Sequence, residues 1–208
     1  MKLRNWLRNT VLILSVSVLY FCSANPLEPN SEGGITLTKG IPVDELTWVG
    51  WNPQVTAELA QAESGALGKR QKNKGFEAKN IHNHTGGTVG GNKTYGNTVD
   101  IPENAFDEQT LRISVRVLSF DATGQTGAGV EFLPSRNYDA NLLITLNWDF
   151  LEVQGEGWED MNLQPMYSED GGATWSPVES YTVNPEARTI TFEIDHFTQY
   201  GWALDEDD

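Results

Sequence analysis

Through the second half of the chain, apolar and polar positions alternate with a period of two. Leu111, Ile113, Val115 and Val117 interleave with Arg112, Ser114 and Arg116. Leu142, Ile144, Leu146 and Trp148 interleave with mostly polar neighbours, and Ile190, Phe192 and Ile194 with Thr191, Glu193 and Asp195. Successive side chains of a strand point to opposite faces, so each set predicts a strand with one buried and one solvated face. Clusters of Gly, Pro, Asn and Asp separate these short segments, and no long helical pattern lies between them. That arrangement predicts an all-β fold, a single antiparallel β-sandwich over residues 76–204, rather than a parallel sheet. No internal repeat suggests a second copy of the unit.

Residues 25–75 are irregular and predict an extension or linker ahead of the sandwich. It begins rich in Pro, Asn, Ser and Gly, passes through Leu46-Thr47-Trp48-Val49-Gly50-Trp51, and reaches Thr56–Leu67, where Ala, Glu and Gln predict a short helix. The run Lys69, Arg70, Lys72 and Lys74 follows; without interleaved aromatics it reads as a solvated linker and not as a nucleic-acid patch. Asp205 to Asp208 reads as a solvated acidic tail.

The first 24 residues have their own pattern. Lys2, Arg4 and Arg8 precede an apolar run from Val11 to Phe21, too short to span a bilayer comfortably, and polar sequence follows at once. This predicts a secretory signal cut after Ala24 and a secreted, periplasmic or envelope location. A second reading stays open: Leu19 lies three residues before Cys22, as in a lipid-attachment motif, although Phe21 stands where a small residue is normal. Cys22 is the only cysteine, so the folded part has no disulfide and no thiol nucleophile.

Charge narrows the partners. The net charge is −15, and loss of Lys2, Arg4 and Arg8 with the signal makes it three units more negative. Such a surface repels phosphate and anionic lipid, which excludes nucleic acid and leaves membrane contact only through the signal or a lipid on Cys22.

Several landmarks, taken in order, resemble a known family. Gly86-Gly87-Thr88-Val89 is followed by Val99-Asp100-Ile101-Pro102-Glu103-Asn104-Ala105-Phe106; then come Val130-Glu131-Phe132-Leu133-Pro134-Ser135 and the ending His196-Phe197-Thr198 with Tyr200-Gly201-Trp202. Over about Phe76 to Leu204 the chain is similar to the ZU-five domain, the β-sandwich of ankyrins, netrin receptors, zonula occludens proteins and many bacterial envelope proteins. Asn104 departs from the glycine common there. The resemblance implies a binding or spacer module without substrate chemistry or cofactor. It also brings one reaction into view, because some eukaryotic relatives are cut within His-Phe-Ser. His196 would take the Thr198 hydroxyl proton and Thr198 would attack the Phe197 carbonyl in an N-to-O acyl shift, the Phe197–Thr198 C–N bond breaking and the released amine taking the proton.

The remaining candidates are local. Ser168, Asp170, Gly172, Thr174 and Trp175 resemble the Asp-box hairpin of sialidases, but Arg112, Arg116, Arg136 and Arg188 do not form the arginine cluster that such an enzyme needs, so a structural hairpin is expected. Gly86 to Thr94 lacks the spacing and the following helix of a phosphate loop. His82 and His84 have no third ligand nearby for zinc, and the acidic pairs do not follow a calcium-loop pattern. Asn83-His84-Thr85 and Asn92-Lys93-Thr94 are glycosylation sequons. Two function classes follow: a non-enzymatic module for protein binding, adhesion or assembly, and a carbohydrate-binding module stacking sugars on Trp48, Trp51 or Trp158. Exposure of those rings separates them.

Overall fold

The structure is a computed structural model that describes residues 40–64, 74–153 and 158–205. The signal with Cys22, the basic residues Lys69, Arg70 and Lys72, and the tail residues Glu206 to Asp208 lie outside the described residues.

Two antiparallel sheets pack as a sandwich. The strands are β1 (Ile41–Pro42), β2 (Phe76–His82), β3 (Gly87–Gly90), β4 (Thr98–Ile101), β5 (Thr110–Ala122), β6 (Gln125–Leu133), β7 (Asn137–Asn147), β8 (Leu163–Ser168), β9 (Thr174–Pro177), β10 (Thr182–Asn184), β11 (Thr189–His196) and β12 (Gln199–Leu204). One sheet has seven strands in the order β1-β9-β8-β12-β6-β5-β2, the other five in the order β10-β11-β7-β4-β3. The alternating apolar residues of β5, β7 and β11 face inward as their period requires, with Ile113, Val115, Leu142, Ile144, Leu146 and Ile190 all buried.

The segment from Gly40 to Ser64 is not the extension that its irregular sequence suggests. Ile41 and Pro42 pair with Trp175 and Thr174 at the sheet edge. The chain then crosses the outer face of the seven-stranded sheet and enters it again, where the pairing of β12 with β6 over Gln199–Gly201 ends. There Val49 joins the two strands: its N–H donates to the Trp202 carbonyl, and its carbonyl accepts from the Ala128 N–H, both at 2.8 Å. Gly50 permits this approach, because a Cβ would stand 2.9 Å from the Thr126 carbonyl oxygen. Val49 and Trp51 face the main core, while Trp48 faces outward.

Helix α1 (Pro53–Glu63) follows, three residues earlier than its composition predicts. Asn52 caps it by accepting from Val55 N–H at 3.0 Å, and Pro53 occupies the first turn, where its missing N–H has no cost. Val55 and Leu59 bury against the sandwich. Glu58 reaches the loop before β4, accepting from the Tyr95 hydroxyl at 2.7 Å and lying 3.6 Å from Lys74 Nζ. Lys74 is therefore paired and not part of a solvated run.

Outside the seven-stranded sheet lies a second apolar cluster of Trp48, Ala122, Met166, Trp175 and Ala203, with Ile41, Val43, Leu46 and Phe120 packed on it. Its floor is glycine. A Cβ at Gly127 would stand 2.2 Å from the Phe120 ring, and one at Gly201 would stand 2.9 Å from Trp48. Bare backbone at these positions lets the rings lie flat on the sheet.

Candidate functional site

The C-terminal landmarks converge on one corner of the sandwich. Between β8 and β9, Asp170 organises the hairpin as a hub of acceptors. Its Oδ1 accepts from Ser168 Oγ at 2.8 Å, Ala173 N–H at 3.0 Å and Thr174 N–H at 2.9 Å, and its Oδ2 accepts from Thr174 Oγ1 at 2.8 Å. Gly171 and Gly172 supply the left-handed backbone, at φ 77° and 96°. Trp175 passes beneath the turn, 1% exposed, and its indole N–H donates to the Gly172 carbonyl at 3.0 Å. Its ring lies 5.2 Å from Phe120 and 4.6 Å from Trp48. The hairpin is thus joined through shared rings to residues 40–51, the N-terminal strap that crosses the outer face of the sheet.

Bonds from the Thr174 backbone and hydroxyl, then from Ser168, hold the Asp170 carboxyl down at about 2. An unfolded aspartate titrates near about 3.9. Because the folded value is the lower one, this contribution to stability is complete above the unfolded value and is lost as pH falls from there through the folded value. The carboxyl carbon of Asp170 should titrate with a midpoint near 2 by NMR, and the stability of Asp170→Asn should lack the part of the acid dependence that wild type shows in that window. A midpoint near 4 would contradict the hub.

His196, Phe197 and Thr198 join β11 to β12 beside this hairpin and line one surface cavity, but the hydroxyl and the imidazole are bonded to other groups and not to each other. The Thr198 hydroxyl donates to the Ser168 carbonyl. His196 Nδ1 lies 2.8 Å from Asp195 Oδ1, and Nε2 lies 3.1 Å from Glu169 Oε1. The hydrogen bond to His196 holds the Asp195 carboxyl below its usual range. Phe197 is 1% exposed and packs on Tyr138 and Phe132, at 4.7 and 5.7 Å. Its carbonyl accepts from Ser135 Oγ at 2.9 Å, and its N–H donates to the Arg136 carbonyl. The Thr198 hydroxyl, His196 Nδ1 and the Phe197 backbone are all engaged in holding the corner, while His196 Nε2 faces Glu169 without a formed hydrogen bond. Sequence reasoning quoted Ser135 as a landmark but missed its role, and only the adjacency of Asp195 to His196 signalled the carboxylates around the ring.

The three tryptophans considered for sugar stacking are structural. Trp48 is 6% and Trp51 2% exposed, the latter donating from its indole N–H to the Leu118 carbonyl at 2.8 Å. Both line a cleft of about 830 Å³ with Glu152, Asp160 and Asn162, yet neither presents a ring face to solvent. Trp158 is half-buried, 4.7 Å from Trp148 and 6.0 Å from Trp202. Trp48 belongs to the outer cluster, Trp51 to the main core and Trp158 packs against that core, so they make no planar platform.

The other sequence candidates stand apart. His82 Nδ1 meets Thr110 Oγ1 at 2.8 Å. Arg116, Arg136 and Arg188 pair with Glu131, Glu108 and Asp149. The glycine-rich stretch closes on itself: Thr94 Oγ1 accepts from Gly91 N–H and donates to the Asn97 carbonyl, and the fully buried Asn97 donates to the Thr94 carbonyl and accepts from Asn147 N–H. Asn104 sits at φ 60°, a left-handed position that asparagine tolerates better than most residues.

No protein-family model matches the chain, and no curated protein matches it.

Proposed function

We propose that this chain is a non-enzymatic β-sandwich module of the ZU-five type, exported to the periplasm, cell envelope or medium, where it works by offering a surface for protein binding or assembly. The observation that carries this reading is the His196–Thr198 corner. Its imidazole faces two carboxylates, its hydroxyl is bonded to a backbone carbonyl, and its aromatic ring is core, so the groups with chemistry are employed in packing. The burial of Trp48 and Trp51 removes the platform that a carbohydrate-binding reading needs. The signal-like N-terminus supports export.

Intact mass spectrometry of protein recovered from an exporting host, before and after prolonged incubation, tests the proposal. The expected species starts at Asn25, or at a lipid-modified Cys22, and stays whole in both wild type and Thr198→Ala. A fragment starting at Thr198 in wild type alone would contradict the non-enzymatic reading. Retention of Met1 to Tyr20 would contradict export.

A further inference from the structure

The sandwich has an opening on the side where the chain leaves one sheet for the other. Between β8 and β12 of the seven-stranded sheet and β11 of the five-stranded sheet lies a crevice of about 250 Å³, roofed by the segment that links β9 to β10. Its walls are Tyr167, Val178, Phe192, Ile194 and Tyr200. Tyr200 and Phe192 belong to the main core, whereas Tyr167, Val178 and Ile194 are only half-buried, so the crevice is a place where the core reaches solvent. The volume falls below the roughly 300–1,000 Å³ of sites for drug-sized ligands. It suits one large side chain, and pockets that receive a single aromatic anchor are the usual centres of protein–protein interfaces.

The mouth is anionic. Glu179, Glu193 and His196 line it, with no lysine or arginine among the lining residues. Glu193 Oε2 accepts from Asn141 Nδ2 at 3.0 Å, a neutral partner that positions the carboxylate without cancelling its charge. His196 brings Glu169 and Asp195 beside it. The Tyr200 hydroxyl registers this field, since burial first and then Tyr167, Glu169 and Asp195 push it far above its ordinary range. A cationic partner is drawn to such a mouth, and an anionic one is repelled.

We infer that this inter-sheet crevice is a docking site for a basic segment of a partner protein, with one aromatic side chain inserted between Tyr167 and Phe192 and flanking lysine or arginine residues meeting Glu179 and Glu193. The inference rests on the binding-module reading and names the class of partner. It uses an opening that no strand or helix of the described chain covers, and it needs no movement of the sheets.

The test is fluorescence anisotropy with full-length mature protein and a labelled pentapeptide carrying tryptophan between lysine and arginine, at about 50 and 500 mM salt. Replacing the peptide tryptophan by alanine should weaken binding by more than about tenfold. Glu179→Gln with Glu193→Gln should weaken it roughly fivefold at low salt, in keeping with two partly exposed charge pairs. Val178→Trp, which fills the crevice, should abolish it, with far-UV circular dichroism confirming the fold. Glu152→Gln with Asp160→Asn removes the same charge elsewhere and should change affinity by less than about twofold. The carboxylate pairs lie on the surface, so the test stands even where Val178→Trp fails to fold. Equal weakening by the two pairs, equal binding of the alanine peptide, or no binding at all would overturn the crevice as a site. None of these results would touch the module reading, which the mass measurement decides.

Discussion

Trp175→Ala is expected to lower the unfolding free energy by about 3–5 kcal/mol, the range for removing a large buried aromatic. The side chain is 1% exposed and touches three structures at once: the Asp170 turn through its indole N–H, β5 through Phe120, and the N-terminal strap through Trp48. The cavity cannot collapse easily, because Phe120 and Trp48 already rest on glycine backbone at Gly127 and Gly201. Domains of this kind are stable by only about 5–15 kcal/mol, so the variant should unfold at a clearly lower urea concentration. Asp170→Ala should move the midpoint less, since a set of exposed hydrogen bonds is lost while the ring stays packed. An unchanged midpoint for Trp175→Ala would show that the hairpin is not packed as described.

Trp51→Ala is expected to cost about as much, again about 3–5 kcal/mol. This follows from the strap and not from the regular strands. Trp51 lies 2% exposed in the main core, is bonded to the Leu118 carbonyl and faces Tyr95 at 6.4 Å. A tryptophan in a linker outside the sandwich would cost nothing measurable. Chemical denaturation of the variant therefore separates the two placements, with a large midpoint shift expected and wild-type stability contradicting it.

What the sequence revealed, and what it hid, follows from which faces are covered. Strands β5, β7 and β11 have one solvated face for most of their length, so Leu111–Val117, Leu142–Trp148 and Ile190–Ile194 alternate visibly. Strand β12 is buried at Tyr200, Gly201, Trp202 and Ala203 in succession, because the core lies on one side and the strap on the other. Strand β8 is likewise buried on both faces, at Leu163, Pro165, Met166 and Ser168, and its period disappears. In β6 the outward positions Gly127 and Gly129 are glycines under Phe120 and Leu118, so they read as turn residues and conceal the strand. The strap was illegible for a different reason: it changes partners from β9 to β12 and β6 within ten residues and never repeats a pattern.

The site was legible in its identities and not in its geometry. The Asp170 hairpin is local, with all its bonds within a few residues, and so its logic could be read from spacing alone. The His196–Thr198 motif drew attention as a reactive triplet, yet its outcome depends on Ser135, Ser168 and Glu169, which are distant in sequence and reach it through sheet register. The crevice walls come from β8, β11, β12 and the link before β10, a set that only the folded topology assembles.

Residues 47–51 are a working part of the sheet and join the C-terminal hairpin and the core into one cooperative unit. Native-state hydrogen exchange of the Val49 amide tests it most directly, since that N–H is bonded to the Trp202 carbonyl in the middle of the sandwich. Val49 is expected to exchange only with global unfolding, at the same free energy as core amides such as those of Ile144 and Val115. Exchange of Val49 at the rate of an open chain, with those core amides still protected, would contradict it.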